Sequence, residues 1–347
     1  MRVGIITFHW ATNYGAVLQS YALQEYLQKQ GHQVQIINYK PSRYDNVLSF
    51  KSLLKNPFLL FRMMRLKGRE KLLAKFRENR LRMTKRFYSE NELVSIEGSF
   101  DVLISGSDQI LNPFFTMKGE GKPTSAYYLA FSNNVKRIGY AVSFGCTEYP
   151  EYARTHAASL INNFDKIGIR ENTGKFILNS LGYKGESSLV PDPTILYGQR
   201  IFDNLKLEDP YHGTSYICYY LLRGEKAPKI KKNNLKKNVI SDYDKPKSME
   251  RWLSEIKYCQ LLVTNSYHGT IMAILFHVPF FAVLNQNKKK GMNDRFSTML
   301  EQLGLQRRVI NKDIIEEELI KEEINWDFVE TRLSSFREKG EKFLHLI

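Results

Sequence analysis

The chain has 347 residues, 43% of them hydrophobic and 25% charged, with three cysteines and a formal net charge of +15. This balance excludes a disordered or fibrous protein, and the length exceeds what one core of about 150 residues serves, so two domains are predicted. No apolar run approaches the ~20 residues that cross a bilayer, residues 1–5 lack a secretory apolar region, and Cys146, Cys218 and Cys259 lack Cys-x-x-Cys spacing. A cytoplasmic protein with reduced thiols is the expectation.

Residues 2–7 read as a buried strand, 16–30 as a helix stopped by Gly31, and 34–39 as a second, alternating strand. Strand, loop, helix, strand is a βαβ opening, which predicts a parallel sheet with ligands at the strand carboxyl ends. Residues 51–86 follow, with thirteen basic side chains against two acidic ones, and supply +11 of the net charge. Leucines, methionines and phenylalanines are interleaved among these charges, so one or two amphipathic helices inserted at about 51–87 are expected.

Strands are predicted again at 101–104, 137–143 and 166–169, with Asn172 or Thr173 capping a helix that ends near Gly182. Pro191-Asp-Pro193 closes this region, and residues 198–213 are the candidate junction. A second alternating system starts beyond it: strands at 215–222 and 238–241, a helix at 248–258, a strand at 261–264, a helix at 270–276 and a strand at 280–284. The tail from 325 is helical by pattern.

Chemistry concentrates where predicted strands end. In Val263-Thr-Asn-Ser-Tyr-His-Gly-Thr270 a strand stops, polar residues intervene, and a helix is expected from Gly269 or Thr270. A helix start offers unpaired N–H groups and positive potential to an anion, Gly269 permits close approach, and His268 can move a proton near neutral pH. The plainer alternative is that Asn265, Ser266 and His268 only cap the helix. Arg170, just past a strand, is either a two-pronged clamp for phosphate or carboxylate or a surface ion-pair partner. Asn13 and Tyr14, between the first strand and helix, are a candidate substrate wall. Ser105-Gly-Ser-Asp-Gln109 lacks the Walker lysine and spacing, so Ser107, Asp108 and Gln109 suit acceptor binding better than nucleotide binding. Lys288, Lys289 and Lys290, with Arg295, follow the next strand and can face the same cleft. The histidines show no metal-ligand spacing, and no nucleophile elbow occurs, so no metal site is expected.

Six segments, in order over roughly residues 3 to 305, resemble the polysaccharide pyruvyl transferase family. They are residues 5–27 with Asn-Tyr-Gly-Ala-Val-Leu-Gln at 13–19, Gly106-Ser-Asp-Gln-Ile110, residues 164–173, Val190-Pro-Asp-Pro-Thr194, Thr264-Asn-Ser-Tyr-His-Gly-Thr270, and Asp294-Arg-Phe with Leu303-Gly-Leu305. The resemblance implies a GT-B-like α/β fold, with two Rossmann-like domains whose parallel sheets face a central cleft. The domains are placed at 1–197 on the acceptor side and 198–325 on the donor side, with a helix at 326–347 crossing back.

It further implies transfer of the enolpyruvyl unit of phosphoenolpyruvate to two hydroxyls of a sugar, with loss of phosphate and no cofactor or metal. His268 and Arg170 are then the catalytic pair. Asn265, Ser266, Tyr267, Gly269, Lys288, Lys289 and Arg295 form the donor side, and Asn13, Tyr14, Ser107, Asp108 and Gln109 the acceptor side. The acceptor is expected to be a lipid-linked or polymeric sugar, and the basic insertion either lies on an anionic membrane or packs on the first domain. Two rival readings are a GT-B glycosyltransferase using a nucleotide sugar and, more distantly, a nucleic-acid binder with pI ≈ 9.5. No nucleic-acid-binding motif accompanies the charge, so no nucleic-acid partner is expected.

Overall fold

The computed structural model describes residues 1–45, 57–117, 124–222, 225–230, 236–240, 245–284, 293–311 and 314–345. Strands β1 (Arg2–Ile6), β2 (Gln33–Ile36), β3 (Val102–Ser105), β4 (Lys136–Val142), β5 (Lys166–Ile169) and β6 (Glu186–Leu189) form one sheet in the order β2-β1-β3-β4-β5-β6. After them come β7 (Tyr216–Tyr220), β8 (Lys229–Ile230), β9 (Lys236–Ile240), β10 (Leu261–Thr264), β11 (Phe280–Val283), β12 (Val309–Ile310) and β13 (Ile314–Ile315). The second sheet runs β12-β11-β10-β7-β9, and β8 pairs separately with β13. Every pairing is parallel.

The two large sheets share one plan. Each first strand is flanked on one side by its second strand and on the other by its third, so strand order reverses between β1 and β3 and between β7 and β10. Ligands of open parallel sheets bind outside the carboxyl ends at such a reversal. The connections that matter are therefore those after β1, β3, β7 and β10. β3, β7 and β10 are buried throughout, as continuous apolar strands covered on both faces should be.

Helices α1 (Tyr14–Lys29), α2 (Pro57–Arg80), α3 (Thr173–Ser180), α4 (Pro193–Tyr197), α5 (Met249–Lys257), α6 (Tyr267–Leu275), α7 (Asp294–Leu303) and α8 (Trp326–Leu344) carry most of the packing. α1 starts where the Asn13 side chain accepts a bond from the Ala16 N–H and stops before Gly31, whose φ is +86°. α6 starts at Tyr267, not at Gly269 or Thr270, because Ser266 is its cap. The described part of the basic insertion is one helix, α2, followed by a non-helical stretch in which Met83 and Phe87 bridge to Ile36 and Tyr39; α2 buries Leu73 and Phe76 against α1, and Gly68 lies close against Pro246 of the other half.

One apolar core runs from the first sheet to the second, joining Val3, Val17 and Tyr14 to Trp252, Leu262 and Ile271. Tyr14 stacks on the fully buried Trp252 with centroids 4.9 Å apart. α8 returns to the first sheet, where Lys166 donates to the Phe343 carbonyl and Arg337 to that of Ile195. Among the described residues no helix is long and apolar enough to cross a membrane.

Candidate active site

The site is organised by a residue that the motif reading treated as punctuation. Chain leaving β6 turns at Pro191, and Asp192 caps α4: its Oδ1 accepts the Thr194 N–H at 3.0 Å and the Thr194 hydroxyl at 2.7 Å. The other oxygen, Oδ2, accepts from Ser107 Oγ and from Arg170 Nη1, each at 3.0 Å, and lies 3.5 Å from His268 Nε2. Three connections from two sheets thus meet at one buried oxygen. Burial opposes this charge, but His268 and Arg170, with the Thr194 bond, hold the Asp192 carboxyl well below the usual carboxylate range.

Arg170 follows β5 and is 1% exposed. Burial disfavours its charge, yet Tyr267, Asp192, Asp108 and Glu171 together raise its pKa above the ordinary arginine value. Its Nε and Nη2 are buried without a hydrogen-bond partner among the described residues, Nη2 lying 3.6 Å from Asp108 Oδ1. The guanidinium lies 4.7 Å from the centroid of the Tyr267 ring, and the guanidinium of Arg295 lies 5.4 Å from the same centroid. Burial and the like charge of Arg170 lower the Arg295 pKa to about 10, and its Nε has no hydrogen-bond partner among the described residues.

His268 occupies the first turn of α6, with its ring between the halves. Nε2 is buried and faces Asp192 Oδ2 at 3.5 Å, beyond ordinary hydrogen-bond length. On the other side the ring packs on Gly15 of α1: a Cβ there would lie 2.2 Å from Nδ1. The buried guanidinium N–H groups of Arg170 and Arg295 that have no partner among the described residues are suited to bond an anion. Next to them opens a cleft of about 520 Å³, lined from one half by Trp10, Asn13 and Asp108 and from the other by Tyr267, His268 and Arg295.

The remaining site candidates divide. Asn13, Asp108 and Gln109 line the cleft, and Asp108 is held at φ +83°, a strained conformation for a non-glycine residue. Ser107 is fully buried in the Arg170–Asp192 network and is no wall for an acceptor. Tyr14 donates to the Lys247 carbonyl and packs between the halves, away from the cleft. Asn265 exchanges two hydrogen bonds with the Leu222 backbone, tying the ends of β7 and β10. Ser266 lines the cleft, but its hydroxyl caps the Gly269 N–H at 3.2 Å, which removes that N–H as an anion donor. Gly269 is needed for packing, since a Cβ there would meet Tyr220 at 2.9 Å and Thr264 at 3.0 Å. Lys288 and Lys289 lie outside the described residues. No group of metal-ligating side chains forms among the described residues.

Two residues of the site were missing from the candidates, Asp192 and Gly15. Each stands inside a motif that the sequence displayed, Val190-Pro-Asp-Pro-Thr194 and Asn13-Tyr-Gly15. Nothing local distinguished a cap or a helix glycine from a residue touching His268.

Two Rossmann-like parallel sheets facing a cleft, with His268 at one reversal point and Arg170 and Arg295 at neighbouring strand ends, define a GT-B-like α/β enzyme frame. The chain belongs to the polysaccharide pyruvyl transferase family, whose model matches residues 13–287, and is accordingly a transferase. No curated protein matches it in sequence. Among solved structures it is similar to a UDP-GlcNAc 2-epimerase from Methanocaldococcus jannaschii, at 11% identity and a TM-score of 0.47, over 100% of this chain and 99% of that one. A putative UDP-N-acetylglucosamine 2-epimerase from Listeria monocytogenes gives 8% identity and 0.49, over 99% and 97%. The glycosyltransferase SsfS6 of Streptomyces sp. SF2575 gives 12% and 0.39, over 99% and 95%. Likenesses of this degree say nothing about the reaction.

Proposed function

We propose that the enzyme transfers the enolpyruvyl unit of phosphoenolpyruvate to two hydroxyls of a sugar, giving a pyruvate ketal and free phosphate. The observation that carries this reading is the pair of guanidiniums, Arg170 and Arg295, with buried N–H groups that have no hydrogen-bond partner among the described residues, Arg295 lining the cleft with His268. Phosphoenolpyruvate bears a phosphate and a carboxylate within a few atoms, and such a molecule needs several cationic donors in one place. Family membership supplies the pyruvyl group and the polysaccharide class of acceptor.

In this mechanism the methylene carbon gains a proton, the adjacent carbon acquires oxocarbenium character, and two sugar oxygens bond to it as the C–O bond to phosphate breaks. One hydroxyl proton balances the new C–H bond and the other leaves with phosphate or to solvent. His268 delivers the proton or assists phosphate departure, and Arg170 and Arg295 neutralise the phosphate and carboxylate. Asp192 keeps His268 and Arg170 in register across the two halves. The sugar lies against Trp10, Asn13, Asp108 and Gln109.

The test is incubation with phosphoenolpyruvate and lipid-linked galactose, mannose or glucosamine acceptors, read by phosphate release and by the mass gain of a pyruvate ketal. His268→Ala, with its thermal melt unchanged, should lower turnover about a hundredfold or more. Full activity of that variant removes His268 from the chemistry. Release of a nucleoside diphosphate from a nucleotide sugar, with no phosphate from phosphoenolpyruvate, overturns the donor.

A further inference from the structure

We propose that the outward stripe of α2 is a docking surface for an anionic lipid membrane. Within 57–80 there are eight basic residues and two acidic ones. Of these, Arg69 and Arg77 are buried, Glu70 pairs with Arg77, and Glu78 is exposed beyond Lys75. The inner side of α2 is seated by Met63, Leu73 and Phe76, all buried, so the insertion is fixed to the body of the protein. Its outer side carries Leu60, Phe61 and Met64, exposed by 47%, 45% and 64%, and continues one, two and three turns on with the exposed Lys67, Lys71 and Lys75. Leu60, Met64 and the three lysines follow helical spacing and form one line, with Phe61 beside it.

Water is a poor environment for three large apolar side chains at one end of a helix, and lysines alone would explain only solvation. Apolar residues leading a basic track are the pattern of a helix that lies in a lipid interface, its apolar end entering the acyl boundary and its ammonium groups meeting anionic headgroups. The Arg65 guanidinium, 4.6 Å from the Phe61 ring centroid, adds a further cation at that end.

The placement of the cleft gives the surface its consequence. Arg62 and Leu66, on the inner side of the same helix with Leu73 and Phe76, line the cleft, as do Phe114 and Phe115, which are 58% and 38% exposed. The stripe faces away from the cleft, so a membrane on it lies one helix width, ~10 Å, from the cleft lining. The inference concerns location and does not depend on the identity of the donor.

The test is sedimentation of the full chain with phosphatidylcholine vesicles with and without phosphatidylglycerol, at low and high salt. Wild type should bind the anionic vesicles, bind phosphatidylcholine weakly, and be released by salt. Lys67→Glu with Lys71→Glu and Lys75→Glu should lower partitioning about a hundredfold. Leu60→Ser with Phe61→Ser and Met64→Ser should lower it about tenfold or more. Both variants should keep the wild-type thermal melt, because every substituted side chain is exposed. Wild-type partitioning by either folded variant, or failure of wild type to bind anionic vesicles, overturns the proposal. Equal affinity for a DNA duplex at physiological salt also overturns it, by making the stripe a general polyanion site.

Discussion

A methyl group added at Gly15 would meet the His268 imidazole at 2.2 Å, far inside van der Waals contact. Overpacking against the ring and Cβ of His268 costs about 1–3 kcal/mol, partly offset by the ~1 kcal/mol helix preference for alanine, so Gly15→Ala should lower the melting temperature only modestly. The ring must nevertheless move away from Asp192, and turnover should fall at least about tenfold, the scale for a displaced proton-transfer group. Normal phosphate release by this variant would show that α1 does not position His268. His9 offers an independent measure of the first half. It sits buried between the Thr7 carbonyl and the Asn38 amide, and burial lowers its pKa to about 4. The unfolded chain takes up that proton near pH 6.5 and the folded chain only near pH 4. Stability present above pH 6.5 is therefore lost as pH falls toward 4, by about 3 kcal/mol in all. His9→Gln should flatten the dependence of urea unfolding on pH across that window, and an unchanged slope would place the titration elsewhere. At this scale Arg170 and His268 were legible because their residue types announce chemistry at a strand end. Asp192 was not, since its role depends on which cations face it and no local pattern encodes that.

Elements with continuous apolar runs were legible almost to the residue, as in β10, while polar ones were lost. β6 is Glu-Ser-Ser-Leu at the edge of its sheet, with no buried residue, so no alternation marks it. Asp192 went unnoticed partly because the strand that delivers it did. The helix Glu151–Ile161 was missed likewise: it buries only Ala153, Ala157 and Ile161, a narrow apolar stripe. At α6 the spacing suggested a later start, because Tyr267 and His268 resemble loop residues until Ser266 is known to cap them. Asn265 illustrates how a residue in a catalytic-looking motif can serve an element junction instead. With Oδ1 accepting from the Leu222 N–H at 2.7 Å and Nδ2 donating to the Leu222 carbonyl at 3.1 Å, it clamps β7 to β10. Asn265→Ala should cost about 1–2 kcal/mol in urea unfolding, the expense of two backbone groups left without partners. A loss of activity with full stability would return Asn265 to the donor site.

For the whole molecule, the βαβ periodicity of both halves was enough to predict parallel sheets, and the cleft between them came from the family resemblance. The way the halves are joined was not legible, because it rests on contacts such as Tyr14 on Trp252, between residues far apart in sequence. That joining matters. Domains linked by small polar interfaces move against each other, whereas here one apolar core passes through α1, α5 and α6 from sheet to sheet. The two halves should therefore unfold together, in a single calorimetric transition whose two enthalpies agree, and separate transitions would show that the core does not couple them.

The same seam has a meaning in time as well as in stability. An enzyme that must swing shut over its ligand shows binding rates that level off as ligand becomes abundant, since the swing becomes the slow step. A cleft whose walls share one interior has no such step. Stopped-flow traces of donor binding should give an observed rate that climbs in proportion to concentration, as for a receptor already in its binding shape.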